Sequence, residues 1–229
     1  MLQSFKKILN SSLHATDGKI GHLDDLLFDD VEWTIRYIVV RTGGILNRER
    51  VLISPLGVAH IDWSNQSVKL NLTRQQIEDS PNVDTDLPVF RQMEKRYFDF
   101  YNWPYYWDDM GIFGIDPRSR LSDDQAFSNE SEEDSTHQLR SCRIVGGYSL
   151  EAENTRVGHI KDFLIEEDNW KIQKLVIDRK ALFPKQPVMI SPQAIHSVDW
   201  YSRSIEVTMT RNEINSSPEY ESDSHDAHP

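Results

Sequence analysis

The chain has 229 residues, 38% of them hydrophobic, six tryptophans and a net charge of −12; that length holds one large domain or two small ones, and the apolar and aromatic content argues against wholesale disorder. No run approaches the roughly 20 apolar residues that span a bilayer, and the single cysteine, Cys142, excludes an internal disulfide or a cysteine metal cluster. The acidity is segregated: residues 121–137 carry six acids and residues 218–229 four, with no Lys or Arg in either, so the rest of the chain is only −2 and no direct DNA binding is expected.

In chain order, residues 1–10 contain Lys6 and Lys7 but no apolar stretch of signal-peptide length, which points to a cytoplasmic protein. Asp24, Asp25, Asp29 and Asp30 lack EF-hand spacing and read as a solvated hairpin turn. Thr34 to Val40 opens with alternation and ends in a buried run, the pattern of a strand. Residues 42–50 form a loop whose apolar tip, Ile45 and Leu46, lies beside Arg48 and Arg50. Val51-Leu52-Ile53 is a short strand stopped by Ser54-Pro55. Val68, Leu70 and Leu72 alternate with Lys69 and Asn71, giving one dry and one wet face. Thr73-Arg74-Gln75-Gln76 is a capping box that opens a short helix, closed by Pro81.

The same order then returns at an offset of 137. Gly21-His22-Leu23-Asp24-Asp25 recurs as Gly158-His159-Ile160-Lys161-Asp162, Trp33 as Trp170, Ser54-Pro55 as Ser191-Pro192, Asp62-Trp63 as Asp199-Trp200 and Thr73-Arg74 as Thr210-Arg211. Aligning residues 12–81 on 149–218 gives 22 identities in 70 positions without a gap, where unrelated composition gives roughly 4. The chain is therefore a duplication of a unit with five or six short strands and a helical turn. A unit of that size reads as a small barrel with closed edges.

Those matched residues carry a family resemblance. Each unit resembles a PRC-barrel domain in its Gly-x-Leu/Ile-x-Asp-Phe/Leu-Leu opening (Gly21 to Leu27, Gly158 to Leu164), its Trp-x-Ile strand (Trp33, Ile35; Trp170, Ile172), its Val-x-Ile-Ser-Pro segment and its Asp-Trp turn. The family includes the cytoplasmic domain of the photosynthetic reaction-centre H subunit and the C-terminal domain of a ribosome maturation factor, both non-enzymatic. The resemblance implies an all-β protein of two small barrels in tandem, each closed by a short helix. Residues 1–81 form the first and 139–218 the second. Between them runs a linker over 82–138, aromatic and packed over 82–118, acidic and disordered over 119–138; residues 219–229 form a disordered acidic tail.

Eight of the residues 97–107 are aromatic. Met93, Tyr97 and Tyr101 fall at i, i+4 and i+8, which predicts a helix over 92–101 ended by Trp103-Pro104. Two readings stand: the segment packs on or across the barrels, or it exposes Tyr97, Tyr101, Trp103, Tyr105, Tyr106 and Trp107 to a partner. The apolar loop tips, Ile45 with Leu46 and Leu182 with Phe183 beside Lys185, suit either a plug for the barrel end or a partner contact. Gly21, Trp33, Pro55, Trp63, Gly158, Trp170, Pro192 and Trp200 recur in both copies, as structural residues do. His22 and His159 read as structural for the same reason, the carboxylates of Asp62 and Asp199 as turn caps. No nucleophile–base order, phosphate loop or metal spacing emerges, so no cofactor is expected and the chain reads as a non-catalytic scaffold binding another protein or a second copy of itself as a homodimer. The alternatives are an RNA-processing or ribosome-assembly accessory factor, and a small-ligand or metal-dependent enzyme with an unrecognised site.

Overall fold

The computed structural model describes residues 1–46, 49–80, 91–105, 138–179 and 186–221, with the side chains of 91–93 undescribed. The first half runs β1 (Leu2–Ser4), α1 (Phe5–Ile8), β2 (Ser12–Ala15), β3 (Gly18–Asp29), β4 (Thr34–Arg41), β5 (Arg50–Ile53), a 3-10 turn (Pro55–Gly57), β6 (Val58–Asp62), β7 (Ser67–Leu70) and α2 (Arg74–Asp79). Helix α3 (Arg91–Tyr101) follows. The second half repeats the first: β8 (Leu139–Ser141), α4 (Cys142–Val145), β9 (Ser149–Ala152), β10 (Thr155–Glu166), β11 (Ile172–Arg179), β12 (Val188–Ile190), a 3-10 turn (Pro192–Ala194), β13 (Ile195–Asp199), β14 (Ser204–Val207) and α5 (Arg211–Asn215).

The protein is mostly β, in two sheets of one topology: β5-β4-β3-β2-β7-β6 and β12-β11-β10-β9-β14-β13. All pairs are antiparallel except β2 with β7 and β9 with β14. Neither sheet closes, against the sequence expectation. Each path ends on two strands adjacent in sequence, β5 and β6 or β12 and β13, with no ladder between them. A Ser-Pro corner separates the two strands in each half. Proline brings no N–H, and the 3-10 turn spends the next amides internally, Gly57 N donating to Ser54 O and Val58 N to Pro55 O. Of the four outer strands, β5 and β12 are covered instead. Tyr97 of α3 donates its hydroxyl to Leu52 O on β5 at 2.8 Å. On β12, Met189 N donates to Pro218 O and Tyr220 N to Pro187 O, so Glu219 and Tyr220, expected in a disordered tail, join the sheet edge.

Local signals acted as the sequence implied. Both capping boxes form, Thr73 with Gln76 and Thr210 with Glu213. Helix α3 ends where Asn102 turns left-handed, at φ 53; Asn102 N reaches Asp99 O and Trp103 N reaches Phe98 O, a Schellman closure. A Cβ on Gly21 would lie 2.1 Å from Arg41 O, and one on Gly158 2.3 Å from Asp178 O, so only glycine lets the long strand pass its neighbour there.

The two halves interlock by exchanging their first strands. β3 and β10 each run 12 residues, about twice an ordinary strand. β3 pairs with β2 over Gly18 to His22 and with β8, from the other half, over Leu27 to Asp29. β10 pairs reciprocally with β1 over Leu164 to Glu166. The helical turn after each exchanged strand fills the other half's core: Phe5, 4% exposed, meets the Phe163 ring at 6.2 Å, and Cys142 and Val145 are buried over β3. Burying one such side chain is worth about 1.5–3 kcal/mol, and one continuous cluster spans both halves.

Candidate interaction surfaces

A pseudo-two-fold relation organises the junction. Its centre is the bridge between Thr34 and Lys171, equivalent positions of the two copies. Beside it Ile35 N donates to Trp170 O (2.9 Å) and Ile172 N to Trp33 O (2.7 Å). Trp33 and Trp170 both hold left-handed backbones, φ 54 and 59, a strain that persists where surrounding contacts over-determine it.

The exchanged arms are fastened by aspartates. Asp25 and Asp162 each follow a β-bulge in the long strand. The carboxylate of Asp162 accepts the Ser4 hydroxyl (2.5 Å) and the amides of Lys6 (3.2 Å) and Phe163 (2.8 Å). Asp25 accepts the Ser141 hydroxyl and the amides of Arg143 (3.1 Å) and Leu26 (2.7 Å). Both serine oxygens also cap their own helical turns, accepting from Lys7 N and Ile144 N. Burial pushes both carboxyls up from their ordinary value of 3.8, against the pull of these hydrogen bonds. Asp24, Asp25 and Asp29 are all buried, so the expected solvated turn is a correction. Their solvent is excluded by arms more than a hundred residues away. Asp62 and Asp199 do cap turns, receiving Asn65 N and the amides of Tyr201 and Ser202. These bonds hold the carboxyls below their ordinary value, with the Asn65 side chain leading at Asp62 and the Ser202 amide at Asp199.

The two sides of the junction differ. Beside β6 the Trp63 indole donates to Glu167 Oε1 at 2.9 Å, next to a void of about 10 Å³ that Ile8, Leu26 and Ile165 also line. Beside β13 lies an open groove of about 470 Å³, lined by Val31, Trp33, Ile195, Val198 and Trp200 together with the polar Glu32, Gln193, His196 and Ser197. Two repeat mismatches explain this. Glu167 has the shorter Asp30 as counterpart, and Gln3 has Arg140. Arg140 pairs with Asp30 at 3.0 Å and lies over the Trp200 ring, 3.8 Å from its centroid, so Asp30 and Trp200 each meet Arg140 where Glu167 and Trp63 meet each other.

The aromatic segment packs on the first half. Tyr97 is 1% exposed, meets Tyr37 edge-on at 5.6 Å, and burial pushes its hydroxyl pKa well up. Tyr101 stacks on Trp103 at 4.5 Å and donates to Gln76 O; Tyr105 donates to Asp99. Tyr101, Trp103 and Tyr105 are part-buried against the core, while Phe100 is exposed. Tyr37 also donates to buried Glu94 at 3.0 Å. Its counterpart is Lys174, and among the described residues α3 has no second copy. Leu46 is buried in the core and Ile45 is 44% exposed, so the loop tip divides between plug and surface. Tyr106, Trp107, Leu182 and Phe183 lie outside the described residues. Pro192 is buried and Trp63 and Trp200 are part-buried.

No protein-family model matches this chain, and no curated protein matches it. Among the described residues no group of three or more His, Cys, Asp or Glu could hold a metal, and no helix is long and apolar enough to cross a membrane.

Proposed function

We propose that the chain is a non-catalytic adaptor of the PRC-barrel type that receives an extended segment of a partner protein along β13. The observation that carries this reading is the open groove beside that strand. β13 pairs with β14 on one side, among the described residues no strand pairs with its other side, and its residues Ile195 to Val198 line the groove. An added strand gains main-chain hydrogen bonds from such an edge, and pockets for alternate side chains give selectivity. A volume of about 470 Å³ falls within the roughly 300–1,000 Å³ typical of ligand sites. At the equivalent strand β6 the Trp63 indole is instead bonded to Glu167.

The test uses matched substitutions at equivalent exposed positions, Ser197→Trp and His60→Trp. In affinity purification from a lysate of the native host, proteins held by the wild type should be lost with Ser197→Trp and retained with His60→Trp. Light-scattering mass of the same samples reports whether the captured partner is a second copy. Full retention of every partner by Ser197→Trp overturns the reading.

A further inference from the structure

We propose that Arg41, Arg50 and Arg143 form a binding site for a phosphate monoester. The three guanidiniums come from three elements, β4, β5 and the exchanged turn α4, and converge on one carboxylate. Asp24 Oδ1 receives Arg41 Nη2 at 2.6 Å and Arg143 Nη1 at 2.7 Å, and Arg50 Nε lies 3.4 Å from Oδ2. Asp24 is buried while the side chains of Arg41 and Arg143 are 51% and 52% exposed.

One arginine neutralises a buried aspartate, and Arg41 and Arg143 both bond to this one, which leaves one positive charge in excess from that pair; the exposed Glu49 stands next to Arg50 in sequence. Each guanidinium has five N–H donors, and Arg41 and Arg143 each point one nitrogen at Asp24, so donors remain at the surface. Asp24 fixes the stems before any ligand arrives, which lowers the ordering penalty of binding. Donors arriving from three directions suit a tetrahedral phosphoryl group better than a planar carboxylate, and arginine clusters are the usual recognition device for phosphorylated segments.

The duplication supplies an independent argument. Residues that build the fold recur at the offset of 137: Gly21 with Gly158, Asp25 with Asp162, Ser4 with Ser141. The counterparts of Asp24, Arg41, Arg50 and Arg143 are Lys161, Asp178, Pro187 and Lys6. The same strands and the same bulge form there without an arginine trio, so the fold does not require it. Ile45, between Arg41 and Arg50 in sequence, and Ile144, next to Arg143, are exposed at 44% and 58%, which suits a phosphoryl group carried on a peptide with apolar neighbours.

The full chain is titrated calorimetrically with inorganic phosphate, with a short phosphoserine peptide bearing leucine on both sides, and with the same peptide unphosphorylated or with aspartate in place of phosphoserine. The phosphopeptide should bind at least tenfold more tightly than either control peptide, and Arg41→Gln or Arg143→Gln should each weaken it at least tenfold while the circular dichroism and melt stay those of the wild type. Inorganic phosphate bound as tightly as the phosphopeptide, and equally sensitive to Arg143→Gln, supports the site with the free ion as its source. Absence of binding by both phosphoryl probes, equal binding of the aspartate peptide, or binding undiminished in both variants overturns the proposal. The groove beside β13 is untouched by these variants, so its test stands or falls separately.

Discussion

Replacing Asp25 by alanine should cut the fastening between the halves. The carboxylate accepts the Leu26 and Arg143 amides and the Ser141 hydroxyl in a buried setting. Alanine strands two backbone donors and frees the hydroxyl, and each buried orphan costs about 1–3 kcal/mol. Relief of a buried charge offsets part of this, so the net loss should be about 2–5 kcal/mol. Asparagine keeps an acceptor for the amides, and its NH2 can donate to Ser141 once that hydroxyl turns. Asp25→Asn should therefore stay within about 1 kcal/mol of the wild type. The same contrast applies at Asp162. The pH dependence has a definite sign. Burial raises both carboxyl pKa values above 3.8, so the folded state binds protons more tightly than the unfolded one. That contribution is fully present below 3.8 and is lost as pH rises through the raised folded values. Relative to the Asp25→Asn, Asp162→Asn double variant, the wild type should lose stability across that window and run parallel above it. Urea titrations followed by far-ultraviolet circular dichroism at a series of pH values measure all of this. If Asp25→Ala loses less than about 1 kcal/mol, or Asp25→Asn loses as much as Asp25→Ala, the fastening is not where the hydrogen bonds place it.

Three further outcomes are expected. Gly21→Ala and Gly158→Ala each press a methyl against a neighbouring carbonyl oxygen; each should lower stability by about 1–3 kcal/mol in thermal melts, and two neutral variants would refute the close approach. Tyr37→Phe removes the hydroxyl that donates to buried Glu94 and should cost about 1–3 kcal/mol; the same urea assay detects it, and an unchanged midpoint would detach α3 from β4. Cys142 is fully buried and burial, with Asp25 and Asp162 nearby, pushes its thiol pKa well up. It should react with a chromogenic disulfide reagent only as the protein unfolds, so fast labelling of the native chain would contradict the placement of α4.

The repeated strands were legible because each unit carries its own dry face and turn residues. Val51 to Ile53 before Ser54-Pro55, and Thr73 with Gln76, are complete within a few residues. The exchanged arms were not. β1 and β8 span three residues each, too few for a period to register, although Leu2 with Leu139 and Ser4 with Ser141 continue the offset of 137. Asp24, Asp25 and Asp29 look hydrophilic in sequence because what buries them arrives from the other half. Likewise the open and shut grooves rest on single differences, Asp30 for Glu167 and Arg140 for Gln3, that no local pattern marks as consequential.

The exchange of first strands also fixes what the polypeptide connection between the repeats has to do. Each half keeps its neighbour's opening strand and turn as part of its own interior, so the particle is held by mutual possession. A single peptide-bond scission within residues 106–137 would yield two fragments on a denaturing gel and one body in native solution.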